Sequence, residues 1–199
     1  MLYRCPPLRV LALLWLLCLQ GCGVQPGQLL GNGPKPLPLP EGITVAFNHR
    51  DGSHYRNPLD GQQRNGDDLE ALLIEAIHGT RHEILVAVQE LSLPRVAEAL
   101  AEQHRRGLRV RVVLENTYST PWSEQHDAGL SPHLRQRRQQ LMAMADRNRD
   151  GALSFDEQQR GDAVAILRRA GVPLIDDTAD GSKGSGLMHH KSVPIAAEW

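Results

Sequence analysis

The chain has 199 residues, 41% of them hydrophobic and 23% charged, with a formal net charge of −1. That length and composition fit one folded domain or a small pair, and they exclude a disordered chain and a histone-like polycation. With 4% aromatic residues, the chain also lacks the material for a nucleic-acid platform of stacked rings.

The first segment carries Arg4 and Arg9, an apolar stretch from Val10 to Leu19, and then Gln20-Gly21-Cys22. A basic start, a short apolar run and a small residue before a cysteine predict an export signal over residues 1–21. The run is too short to cross a hydrocarbon core of about 30 Å, which takes about 20 apolar residues as a helix. Leu19 to Cys22 resembles the lipobox of bacterial lipoproteins. That resemblance implies acylation of Cys22 and an exported, extracytoplasmic lipoprotein held at a membrane by its lipid. The alternative is an ordinary secretory signal with an incidental cysteine. Cys5, Cys18 and Cys22 are the whole cysteine complement, so the rest of the chain has no thiol for a disulfide, a zinc site or a nucleophile.

Residues 22–42 are rich in Gly and Pro, and the alternating prolines from Pro34 to Pro40 predict an extended tether. Residues 43–199 read as one α/β domain. A strand is expected at Ile43 to Asn48, then a polar loop through Gly66. Asp67 is expected to cap a helix with Leu69, Leu72, Leu73, Ala76 and Ile77 at helical spacing, stopping at Gly79. Ile84 to Val88 is an apolar run of strand length, Pro94 opens a second helix ending at Gly107, and Val110 to Leu114 is the next strand. Helices follow at about 131–145 and 162–169, and a strand at Val172 to Ile175. The alternation predicts a sandwich with a largely parallel sheet flanked by helices. Arg135, Arg137 and Arg138 read as a solvated helix face. His78 and His82 are four apart but lack the glutamate of a zinc protease motif.

Asp146 to Glu157 fits the twelve-position EF-hand loop. Calcium takes six to eight oxygens, and the spacing offers them from Asp146, Asn148, Asp150, the Ala152 carbonyl, Ser154 and Glu157, with Gly151 at the sharp turn. An EF-hand is therefore expected over about 131–169, holding calcium in a structural role, with Leu141, Met142, Phe155 and Ile166 supplying apolar helix faces.

His189-His190-Lys191, after Gly186-Leu187-Met188, resembles the first half of the HxKxxxxD motif of the phospholipase D superfamily, and the helix and strand order from Ile43 onward is similar to that family's half-domain. The resemblance implies a phosphoric diester hydrolase with an EF-hand insert. His189 would be the nucleophile or acid/base, Lys191 would hold a phosphate oxygen, and no metal would be needed for catalysis. The implied partners are a phospholipid or other phosphodiester, a membrane reached through the lipid anchor, and a second HxK motif from a missing half or a second subunit. Lipid degradation is the implied role. Ala196 stands where the motif has Asp, so the chain reads as an incomplete N-terminal half. A non-enzymatic calcium-binding lipoprotein and a nuclease of the same superfamily, with nucleic acid as partner, are the alternatives.

Overall fold

The computed structural model describes residues 38–182 and 186–196. The expected signal, Cys22, most of the tether, Lys183-Gly184-Ser185 and Trp199 lie outside them. The chain divides into two units, Met1–Val45 and Ala46–Trp199. In the first, residues 38–45 form a turn in which the Ile43 amide donates to the Pro40 carbonyl at 3.1 Å. The second carries the α/β fold.

No strand forms at Ile43 to Asn48. Ile43, Val45 and Phe47 are all exposed, so the alternation that suggested a strand has no apolar surface to bury against, and β propensity by itself does not hold one. The Phe47 amide bonds to the Asp67 carboxylate at 2.9 Å, and Asp67 also accepts from Ser53 and Arg50. Asp67 is therefore a loop clasp. The helix cap falls to Asp68, whose side chain accepts from the Ala71 amide. The expected featureless loop contains a hairpin, β1 (His54–Arg56) antiparallel to β2 (Gln63–Asn65).

From there the elements run α1 (Leu69–Gly79), β3 (Glu83–Val88), α2 (Pro94–Arg105), β4 (Arg109–Leu114), α3 (Pro132–Ala145), α4 (Phe155–Gly161), α5 (Ala163–Arg169), β5 (Leu174–Asp176), β6 (Lys191–Ser192) and β7 (Ile195–Ala196). The main sheet has the order β5-β4-β3, all parallel, with β6 and β7 both antiparallel to β3. Pro194, which has no amide to give, splits that last strand in two, but its carbonyl still accepts from Leu85. The coarse expectation of a mixed α/β fold with a largely parallel sheet holds.

Ile84 and Val86 of β3 and Val110, Val112 and Leu114 of β4 face α2 and α5, and all five are buried with Leu100 and Leu167 in one core. Burying an aliphatic side chain of this kind contributes about 1.5–3 kcal/mol, so the βαβ unit is the stable centre. Gln103, fully buried, joins α2 to the end of α1: its amide nitrogen donates to the carbonyls of Ile77 at 2.6 Å and His78 at 3.1 Å. A smaller cluster of Trp122, Leu141 and Ala145, with Met142 and Leu153 against it, joins α3 to the segments around it. Gly161 is needed there, because a Cβ on it would lie 2.4 Å from the Ala145 Cβ.

Candidate functional site

In open α/β sheets, ligands gather beyond the carboxyl ends of the parallel strands. Here those ends present Gln89 and Glu90 after β3, Glu115 after β4, and Asp176 and Asp177 at β5. Glu115 is buried, and its carboxylate accepts from the Thr117 amide and hydroxyl. Asp177 accepts from the Asn116 amide. The Thr178 hydroxyl and amide hold the Asp176 carboxyl below its ordinary range. These carboxylates tie the loops together and are engaged by the chain's own donors.

Glu90 pairs with Arg137 at 2.8 Å, both mostly shielded, and Arg138 donates to the Trp122 carbonyl at 3.0 Å and to Asp127 at 3.1 Å. Arg137 and Arg138 thus correct the solvated-face expectation: Arg137 ties α3 to the end of β3 and Arg138 ties it to the segment from Trp122 to Asp127, while Arg135 is exposed as expected. Together with Thr117, Tyr118, Thr120 and Gln125 they line a cleft with room for about 30 Å³, the space of one water molecule. The Glu90–Arg137 ion pair is part of that lining. Glu90 and Arg137 are 47 positions apart, and no periodicity in the sequence links them.

His189 and Lys191 sit at the start of the antiparallel edge, both exposed. The Lys191 ammonium donates to Gln89 Oε1 at 3.0 Å and to the His189 carbonyl at 3.3 Å. It is therefore satisfied by neutral oxygens of its own surroundings.

In the acidic loop, the Gly151 amide donates to Asp146 Oδ2, the Asp150 amide to Asn148 Oδ1, and the Ala152 amide to Asp150 Oδ1. Glu157 closes the loop: Oε1 accepts from the Arg147 and Asn148 amides, and Oε2 from the Ser154 amide and hydroxyl. The Ser154 hydroxyl and amide are the main reason its pKa falls to about 2. Ser154 and Glu157 form a reciprocal capping box at the start of α4. Asp146 Oδ1 is buried with no hydrogen-bond partner. Phe155 is 77% exposed and Ile166 belongs to the main core, so neither gives the hand an apolar face; Leu153 takes that place. Among the described residues no three His, Cys, Asp or Glu side chains converge as a metal cluster. His78 lies 3.6 Å from Glu102.

A family model described as Transcriptional regulator TrmB, EBD N-terminal subdomain matches residues 63–166, just over half of the chain. The match runs from β2 into α5, includes the acidic loop, and stops before His189. No curated protein matches the chain at a significant level. This family match overturns the resemblance to phospholipase D. It removes the basis for a phosphoric diester hydrolase, for lipid degradation, for a nuclease of that superfamily and for a calcium-binding lipoprotein. Two further observations agree: the Lys191 ammonium is already bonded to Gln89, and Ala196 stands in the place of the acid.

Proposed function

This chain belongs to the family of the transcriptional regulator TrmB EBD N-terminal subdomain, and on that premise we propose that it is a non-catalytic regulatory module of transcription. The observation that carries this reading is the match over residues 63–166, which takes in the βαβ core. Nucleic acid is then the implied partner. A duplex is held chiefly by free Lys and Arg on its phosphates. Here Arg50, Arg95, Arg137, Arg138 and Arg168 are each paired with a carboxylate, whereas Arg56, Arg105, Arg106 and Arg135 are exposed; the net charge is −1. The module acts on contacts to other protein surfaces or ligands. Promoter occupancy by the tagged chain in its own cells, with transcript levels after its deletion, tests the proposal. Enrichment at promoters with altered transcripts is expected; no enrichment and unchanged transcripts would refute it.

The acidic loop supports a second proposal, a calcium site of Asp146, Asn148, Asp150, Ala152, Ser154 and Glu157 with a structural role. The supporting observation is the buried, unpartnered Asp146 Oδ1, and the donor set is all oxygen, as calcium prefers. Glu157 would have to leave Ser154 to contribute both oxygens, so the site is not preformed. Calcium should raise the melting temperature through linkage, and Glu157→Gln should remove most of that rise. An equal rise in the variant would place the ion elsewhere.

Export through residues 1–21 and acylation of Cys22 are proposals about location alone. No helix among the described residues is long and apolar enough to cross a membrane. Export would put the module on the far side of the membrane from DNA, so promoter occupancy and membrane fractionation are mutually exclusive readouts.

A further inference from the structure

Between α1, α2 and the carboxyl end of β3 lies a cavity of about 150 Å³, five times the room in the polar cleft. Val86 and Val88 from β3, Leu73 and Ile77 from α1, Leu100 from α2 and Val193 line it. Its polar lining is slight: Ser92 and Glu90, the latter already neutralised by Arg137 at 2.8 Å. Leu93, at the rim, is 41% exposed, and Ser92 and Val193 are half-buried, so solvent reaches the opening.

An apolar space of this size is poor at holding water, which needs two to four polar partners, and cavities of about 150 Å³ lined by aliphatic residues stay dry and take up benzene. Protein interiors are close-packed, and an empty void deprives its lining of contact atoms. The lining contains no unpaired charge that could recognise an ion.

We propose that this cavity binds one small, uncharged, apolar molecule of roughly six to ten heavy atoms, in scale with the benzene precedent, entering past Leu93 and Ser92. Its body lies against Val86, Val88 and Leu73, and a single polar group, where present, meets Ser92 at the mouth. This site stands independently of the regulator reading, since it concerns binding alone.

Toluene is the probe, titrated into the whole chain and followed by methyl NMR and thermal melting. Shifts confined to the methyls of Leu73, Val88 and Val193 are expected, with a melting temperature raised by roughly 3–6 °C at tenfold excess over Kd. Glycerol, polar and of similar size, should leave the same methyls unmoved. Val193→Phe, which pushes a ring into the space from a half-buried edge, should abolish the toluene response while melting no lower than wild type; Val88→Ile, a smaller filling, should weaken the response severalfold. Absence of shifts at toluene saturation would overturn the proposal. So would shifts centred on Leu141 and Met142, or an undiminished response in folded Val193→Phe or Val88→Ile. Because no DNA is present, a negative result here leaves the regulator reading intact, and a failure at promoters leaves this site intact.

Discussion

Replacing Gln103 tests how α1 is fastened to the core. Its amide nitrogen makes contacts of 2.6 and 3.1 Å with the carbonyls of Ile77 and His78, and a long one of 3.4 Å with Thr80, inside a fully buried environment. Gln103→Met keeps the length and removes both N–H donors. Each good hydrogen bond has a net worth of about 0.5–1.5 kcal/mol, and a buried carbonyl left without a donor costs about 1–3 kcal/mol. Two relieving effects apply. Ile77 retains the Thr80 amide at 3.2 Å, and the variant eliminates Gln103 Oε1, which is itself buried without a partner. The balance is a loss of about 1–3 kcal/mol, which for a protein of this size lowers the melting temperature by about 2–4 °C per kcal/mol. Gln103→Glu should be worse near neutral pH, since a carboxylate would face three carbonyls. Burial and those carbonyls would raise its folded pKa above the unfolded value of about 4.3. Stability of this variant should therefore fall as pH rises from the unfolded to the folded pKa, and recover on acidification. Urea titrations followed by circular dichroism from pH 4 to 8 measure both variants. A Gln103→Met variant within about 0.5 kcal/mol of wild type, the usual range for surface changes, would refute the reasoning.

Gly161→Ala should destabilise by about 1–3 kcal/mol through overpacking, since the new methyl would meet Ala145 Cβ at 2.4 Å; the additional change Ala145→Gly should restore most of the loss in the same urea assay. Glu157, with its pKa held at about 2, stabilises the closed loop at pH above the ordinary carboxyl value, and that support should disappear as pH falls from about 4.5 toward 2; the carboxyl carbon followed by NMR titration checks this, and a midpoint above 4 would contradict the capping geometry. Cys22→Ser should release the chain from membranes if the lipobox resemblance is functional, and fractionation with labelled fatty acid decides it: an unlabelled wild type removes the anchor.

The sequence made the βαβ centre legible because Ile84 to Val88 is an apolar run of strand length, Val110, Val112, Val113 and Leu114 leave only Arg111 polar in the next strand, and the Leu69 to Ile77 spacing suits only a helix. It misplaced the strand at Ile43 to Asn48 because alternation says nothing about whether a burying surface exists. The β1–β2 hairpin was invisible, since its strands are polar on both faces and all but Tyr55 of their residues are exposed. At the acidic loop the backbone turn was readable from Gly151, but not the capture of Glu157 by Ser154, a choice between two partners for one carboxylate. Arg137 and Arg138 read as solvent-facing because helical spacing cannot anticipate Glu90 and the Trp122 carbonyl arriving from other elements. The His189–Lys191 triplet misled because three residues specify a motif only when their surroundings match as well.

The interruption at Pro194 also bears on solubility. An unbroken strand at the border of a sheet offers a template to which other copies of the chain can add. Here one border strand, β5, has only three residues, and the other keeps a single register on β3 from Lys191 to Ala196; the Pro194 carbonyl accepts from Leu85, so the amide that proline lacks belongs to the side facing β3 and not to the border. Among the described residues the outward amides of Val193 and Ile195 stay available to a further strand, so what guards this border is its shortness and the charge of Lys191. Pro194→Val would add an amide aimed at the Leu85 carbonyl, tightening this strand on β3 while leaving the outer border as it is.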